Sequence, residues 1–139
     1  MKIWLFPDVV TTYYARGTYA TLFRMFYQYG YFKPLVNQKL GAPATLRQFV
    51  PLAFVGFVLS GVLIPLVPAW ALLYITVLGC YLAMNLSFSR LAGKKGVVCL
   101  MTMYAHWIQH MAYGIGYMAG IIEFLILRRK SNRSIPISR

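Results

Sequence analysis

Acidic residues are nearly absent from this chain of 139 residues, in which Asp8 and Glu123 are the only two. Charged residues of both signs make up 12% of the sequence, whereas hydrophobic residues make up 60%. An ordinary soluble domain carries about a quarter of its residues as charged side chains. The shortage of charge therefore argues against a soluble globular protein and indicates an integral membrane protein.

The sequence also lacks the residue patterns on which catalysis depends. It contains no pair of carboxylates, no Asp-x-Asp metal motif and no Gly-rich phosphate loop. The apolar stretch before Pro7 is shorter than the roughly 7–15 residues of a signal peptide, so none is expected. The two cysteines, Cys80 and Cys99, fall at different depths of apolar stretches, so a disulfide is not expected. We expect this chain alone to be inactive as an enzyme and to hold no cofactor.

Three long apolar stretches predict the fold class. They are Phe49–Val67, Ala69–Phe88 and Val97–Leu127, and the first two carry no charged residue. A helix rises about 1.5 Å per residue, so ~20 apolar residues cross the ~30 Å hydrocarbon layer. The sequence thus predicts an all-α membrane protein with a transmembrane region over 45–127, whose three helices cover about 48–67, 69–88 and 97–127. The third stretch is too long for one perpendicular crossing and too short for two, so an interfacial part or a bend at Gly114 or Gly116 stays open.

Residues 1–44 form a predicted juxtamembrane segment. Positions 9–14 have the β-branched and aromatic content of an extended segment or short strand. From Thr18, aromatic and apolar residues recur at helical spacing, with Arg24 and Gln28 on another face. We expect an amphipathic helix over about 18–33 that lies in the membrane interface and ends near Pro34. The alternative is an ordinary helix that leads into the first span.

The net charge of +12 argues for a lipid bilayer with anionic lipids as partner, not for nucleic acid. Lysine and arginine cluster at the borders of the apolar stretches, where they anchor helices on the cytoplasmic side. This pattern predicts an inner-membrane protein with a cytoplasmic amino terminus. Three crossings would place the basic, disordered tail over 128–139 on the opposite side, against the same rule.

His106 and His110 are the only histidines, and their spacing places them on one helical face. Zinc needs a third protein ligand, and Glu123 lies nearly opposite on the same helix. Packing at an interface or against another helix is therefore the favoured interpretation, and a metal or haem site is the alternative. The carboxylate of Glu123 is expected to pair with Arg128 and Arg129.

Gly114, Gly116 and Gly120 predict close helix packing. Gly116 and Gly120 form the small-xxx-small pattern that lets a second helix approach within lipid.

Two aromatic and glycine-containing segments form a recognisable pattern. One is Tyr14-x-Arg16 followed by Leu22-x-Arg24-Met25-Phe26-Tyr27-Gln28-Tyr29-Gly30-Tyr31-Phe32-Lys33. The other is His110-Met111-Ala112-Tyr113-Gly114-Ile115-Gly116-Tyr117-Met118-Ala119-Gly120. Together they resemble the carboxy-terminal membrane region of family-2 glycosyltransferases of the succinoglycan-biosynthesis type. Met25 and Phe32 depart from that family's pattern, where Gln and Trp are frequent. The family's catalytic domain would lie upstream of Met1.

The resemblance implies the anchoring and acceptor-side portion of an enzyme of exopolysaccharide or cell-envelope glycan synthesis, in truncated or split form. The complete enzyme would use a nucleotide sugar and a divalent metal, with a polyprenyl-diphosphate-linked glycan as acceptor and a catalytic glycosyltransferase domain as partner. The residues expected to face the acceptor are Arg24, Gln28, Tyr29, Phe32 and Lys33. Two alternatives stay open: a stand-alone membrane subunit, and a small metal or haem protein based on His106 and His110.

Overall fold

All regular structure in the described part of the chain is helical, as the sequence predicts. The computed structural model describes residues 17–43, 45–65, 67–93 and 95–128. Four α-helices follow one another: α1 (Tyr19–Leu40), α2 (Val50–Leu59), α3 (Pro68–Leu91) and α4 (Gly96–Gly120). Short 3-10 turns at Leu46–Phe49 and Ser60–Leu63 flank α2, and a π-helical segment, Ile121–Ile126, follows α4. The predicted strand near 9–14 and most of the predicted tail lie outside the described residues.

Helix α1 begins where the sequence predicts but continues beyond the predicted end. Thr18 caps it, since its side-chain oxygen accepts a hydrogen bond from the backbone N–H of Thr21 at 3.2 Å. The expected end near Pro34 is wrong, because Pro34 lies inside the helix, which runs on to Leu40. A proline removes one intrahelical hydrogen bond, here the bond to the carbonyl of Gly30. Burial of Pro34 against α4, where its ring lies near Gly120, offsets that loss.

The first apolar stretch is divided into 3-10, α and 3-10 segments. Side chains of α3 donate hydrogen bonds to backbone oxygens at the carboxyl end of α2. The indole of Trp70 donates to the backbone oxygen of Ser60 at 3.2 Å, and the hydroxyl of Tyr74 donates to that of Val58 at 3.1 Å. The last carbonyls of a helix have no intrahelical donor. These two bonds supply donors and tie α2 to α3 as a helical hairpin.

Two described segments are long and apolar enough to cross a membrane, Leu46–Leu63 and Pro68–Leu91. In the first segment 11% of the residues are buried inside the structure, and in the second only Asn85 and Ser89 are buried. A core helix of a soluble protein with such composition would be mostly buried, so the exposure favours contact with lipid. The predicted third span is not among these segments.

Helix α4 is the centre of the molecule, because α1, α2 and α3 all pack against it. It remains a continuous α-helix through Gly114 and Gly116. The backbone changes to π-helical geometry at Ile121. This change divides the long third apolar stretch into α4 and a short extension.

Candidate functional site

Glycine allows α1 and α4 to pack with their backbones in contact. A Cβ atom added to Gly116 would overlap the backbone oxygen of Tyr27, and one added to Gly120 would overlap that of Tyr31. The fit is reciprocal, because a Cβ on Gly30 of α1 would overlap the backbone oxygen of Tyr113 of α4. Small residues permit such approach where helices meet in lipid.

Gly114 serves a different contact from the other two glycines of α4. A Cβ atom at this position would overlap the backbone oxygen of Pro51 and the side chain of Val55, both on α2. Val55 is 1% exposed. The glycines of α4 therefore face two different helices, α1 and α2, and the spacing alone does not reveal this division.

Two polar contacts join α1 to the far end of α4 and its extension. The hydroxyl of Tyr31 donates to Oε2 of Glu123 at 2.7 Å, and the amide of Asn37 donates to the hydroxyl of Tyr117 at 3.0 Å. The expected pairing of Glu123 with Arg128 is wrong, because the carboxylate faces α1; Arg129 lies outside the described residues. A tyrosine hydroxyl neutralises no charge but satisfies a partly buried carboxylate oxygen.

The residues expected to face an acceptor cover a broad side of α1. At 100° per residue, Arg24, Gln28, Phe32, Tyr29 and Lys33 span about half of the helix circumference, on the side away from Gly30. Arg24 is exposed and borders a cavity of about 360 Å³ together with Ala20, Phe23 and Tyr27.

The other members of this set differ in surroundings. Tyr29 is exposed, whereas Gln28 and Lys33 are half-buried. The ring of Phe32 stacks on that of Phe124 with centroids 6.4 Å apart, so it helps to fix the π-helical extension. The set thus forms a cationic and aromatic surface, not an enclosed pocket.

A second candidate site lies between α3 and α4 and contains both histidines. Asn85 is buried, donates to the backbone oxygen of Met103 at 3.1 Å, and places its Oδ1 atom 2.7 Å from Nδ1 of His106. Nδ1 of His110 lies 2.8 Å from the backbone oxygen of His106 and 3.4 Å from the hydroxyl of Tyr81. The histidines therefore pack against a neighbouring helix, as favoured from the sequence.

Aromatic rings from three helices enclose one end of this site. The ring of Phe54 on α2 lies 4.6 Å from Tyr81 on α3, 5.5 Å from Trp107 and 5.8 Å from His110 on α4, measured between centroids. Edge-to-face and tilted pairs at these separations are favourable beyond simple burial. The cluster fixes the position of His110 relative to α3.

A cavity of about 560 Å³ adjoins the histidines, and its lining combines polar and apolar side chains: Tyr81, Met84, Asn85, Phe88, Ala92, Thr102, His106 and His110. No group of three or more histidine, cysteine or acidic side chains suitable for a metal occurs within the described residues. Cys80 is exposed and Cys99 is buried, and both are free thiols.

Sequence reasoning missed Tyr31, Tyr81 and Asn85 as members of these sites. The two tyrosines are ordinary members of aromatic-rich helices, and only the fold brings them to Glu123 and His110. Asn85 carried a usable signal, because an amide within a long apolar stretch must find a hydrogen-bonding partner.

Comparisons with family models, with curated proteins and with solved structures give no match to this chain.

Proposed function

We propose that this chain is the membrane-anchoring and acceptor-side portion of a glycosyltransferase that acts in exopolysaccharide or cell-envelope glycan synthesis. In this proposal α4 forms a third crossing beside the two apolar segments, and the amino terminus lies in the cytoplasm at the inner membrane. A nucleotide sugar and a divalent metal belong to a separate catalytic domain. The side of α1 away from Gly30, which carries Arg24 and Lys33, binds the lipid-linked acceptor.

One observation carries the proposal. The two segments that resemble the glycosyltransferase membrane region are separated by about 80 residues in the sequence, yet they pack directly against each other. Gly30 of the first segment contacts Tyr113 of the second, and Gly116 and Gly120 contact Tyr27 and Tyr31. This shared, glycine-dependent contact supports treating the two segments as one unit with one role.

The charges of α1 support an acceptor that carries phosphate. Within the described residues, neither Arg24 nor Lys33 forms an ion pair, so both cations are available to a diphosphate. Guanidinium and ammonium groups bind phosphate oxygens through charge-assisted hydrogen bonds. The exposed ring of Tyr29 offers an aromatic face of the kind that covers a sugar ring.

Binding of an acceptor to the purified chain tests the proposal. We expect the wild-type chain, reconstituted in zwitterionic vesicles, to bind a polyprenyl-diphosphate-linked sugar, and Arg24→Gln to weaken binding by about tenfold through loss of a charge-assisted contact. Arg47→Gln is the matched control, since Arg47 is exposed and lies outside the proposed acceptor side.

Two outcomes would contradict the proposal. One is equal weakening by Arg24→Gln and Arg47→Gln, which indicates general attraction to anions. The other is turnover of a nucleotide sugar by the purified chain without a partner, because we expect no such activity from these residues.

A further inference from the structure

The cavity between α3 and α4 has features that an acceptor surface on α1 does not explain. It is lined by residues of α3 and α4 and by Ala92, with none from α1, adjoins both histidines, and measures about 560 Å³. A volume of this size falls within the range of small-molecule sites. Its chemistry depends on which nitrogen of each histidine carries a proton.

Asn85 determines the tautomer of His106. The Nδ2 group of Asn85 donates to the backbone oxygen of Met103, which leaves Oδ1 to face Nδ1 of His106 at 2.7 Å. An amide oxygen only accepts hydrogen bonds, so Nδ1 of His106 must carry the proton. In the neutral ring, Nε2 is then a lone-pair acceptor.

His110 is held in the same tautomer by a different group. Its Nδ1 atom lies 2.8 Å from the backbone oxygen of His106, which again only accepts. The hydroxyl of Tyr81, at 3.4 Å, is a longer second contact. Neither Nε2 atom has a hydrogen-bond partner among the described residues, although both rings line the cavity.

The cavity thus combines two acceptor nitrogens with an apolar and aromatic wall. Met84, Phe88 and Ala92 supply apolar surface, and Phe88 and Tyr81 supply rings. Phe88 is 60% exposed and only Asn85 and Ser89 of α3 are buried, so a lipid-soluble molecule reaches the cavity from the side of α3. The polar end of such a molecule must donate hydrogen bonds, because the Nε2 atoms of His106 and His110 accept them.

We propose that this cavity binds a membrane-soluble phenol or hydroquinone, whose hydroxyl donates to Nε2 of His106 or His110 while its ring packs against Phe88 and Tyr81. This site is separate from the acceptor surface on α1 and does not depend on the glycan role. A molecule that only accepts hydrogen bonds, such as an ether or a quinone, lacks the donor that the two nitrogens require.

A metal ion is the competing occupant of paired histidine nitrogens. The described residues bring no third metal-ligating side chain to the pair, and structural zinc sites use four protein ligands. A metal held by two histidines would need water molecules as further ligands. The apolar wall offers those waters no side-chain hydrogen-bond partner. The observations therefore favour the phenol.

The test compares two probes that differ in one donor, 4-nonylphenol and its methyl ether, on the full chain purified in detergent. We expect the phenol to bind about tenfold more tightly than the ether, since one hydrogen bond distinguishes them. The variants His106→Phe and His110→Phe should reduce this preference, and Thr76→Val, an exposed substitution on α3 outside the cavity, should leave it unchanged.

A measurement on the wild-type chain avoids dependence on variants that fail to fold. In ¹⁵N-histidine NMR spectra, we expect protonated Nδ1 and unprotonated Nε2 at both rings, and a shift of at least one Nε2 resonance when the phenol is added. Equal affinity for phenol and ether, Nε2 resonances that the phenol leaves unmoved, or a stoichiometric metal that blocks the phenol would each overturn the proposal. Because the probes carry no phosphate or sugar, this result and the acceptor-binding result fail independently.

Discussion

At the scale of single residues, glycine sets the distance between α1 and α4. Gly30, Gly116 and Gly120 each meet a backbone oxygen of the facing helix at a separation that leaves no room for a Cβ atom. Backbone atoms cannot turn aside as a flexible side chain can, so any larger residue forces the helices apart. Separation would also strain the contact between Tyr31 and Glu123.

The substitution Gly116→Ala tests this claim. We expect it to lower the free energy of unfolding by about 1–3 kcal/mol, the usual cost of overpacking a close contact. Gly79→Ala is the matched control, because a Cβ atom at Gly79 meets nothing within 4 Å among the described residues. Thermal unfolding in detergent measures both variants. A Gly116→Ala protein as stable as the Gly79→Ala protein would refute the close packing.

At the scale of elements, α3 is a long apolar helix of which very little is buried inside the structure. Only Asn85 and Ser89 of α3 are buried, and its polar contacts with other helices lie along the side that faces α2 and α4. The remaining surface carries residues such as Leu72 and Ile75, which are 74% and 67% exposed. Such a surface is stable in lipid but costly in water.

A lysine introduced on this surface tests whether α3 is surrounded by lipid or by water. Leu82, which is 44% exposed, lies near the middle of α3, where we expect Leu82→Lys to cost about 2.5–3.5 kcal/mol of membrane insertion. Leu91→Lys is the control, since Leu91 is 82% exposed at the helix end, from which lysine reaches the interface. The amount recovered in membranes after alkaline extraction measures the effect. Unchanged recovery of the Leu82→Lys protein would show that α3 does not cross lipid.

The helices themselves follow from the sequence, whereas the contacts between them do not. Long apolar stretches and the helical spacing that begins at Thr18 predict helices, because both signals are local. Pro34 misleads, since local rules end the helix there while packing against Gly120 retains it. The sequence predicts a partner for Glu123 among the nearby arginines, but the fold brings Tyr31 from 92 positions away. Such pairings depend on helix rotation and register, which no local pattern encodes.

At the scale of the whole molecule, the account depends on a lipid environment for a structure organised around α4. Apolar side chains of α2 and α3 face outward, while the buried amide of Asn85 is hydrogen-bonded to α4. This is the inverse of a soluble protein, in which the exposed surface would carry the charge. The proposed roles of α1 and of the histidine cavity both require this arrangement.

Spin-label accessibility at Cys80 tests that central claim most directly. Cys80 is exposed on α3, and Cys99→Ala removes the only other cysteine. With the label in reconstituted vesicles, we predict high accessibility to oxygen, which concentrates in lipid, and low accessibility to a water-soluble nickel complex. The opposite result, ready collision with nickel and little with oxygen, would place α3 in water and contradict the account.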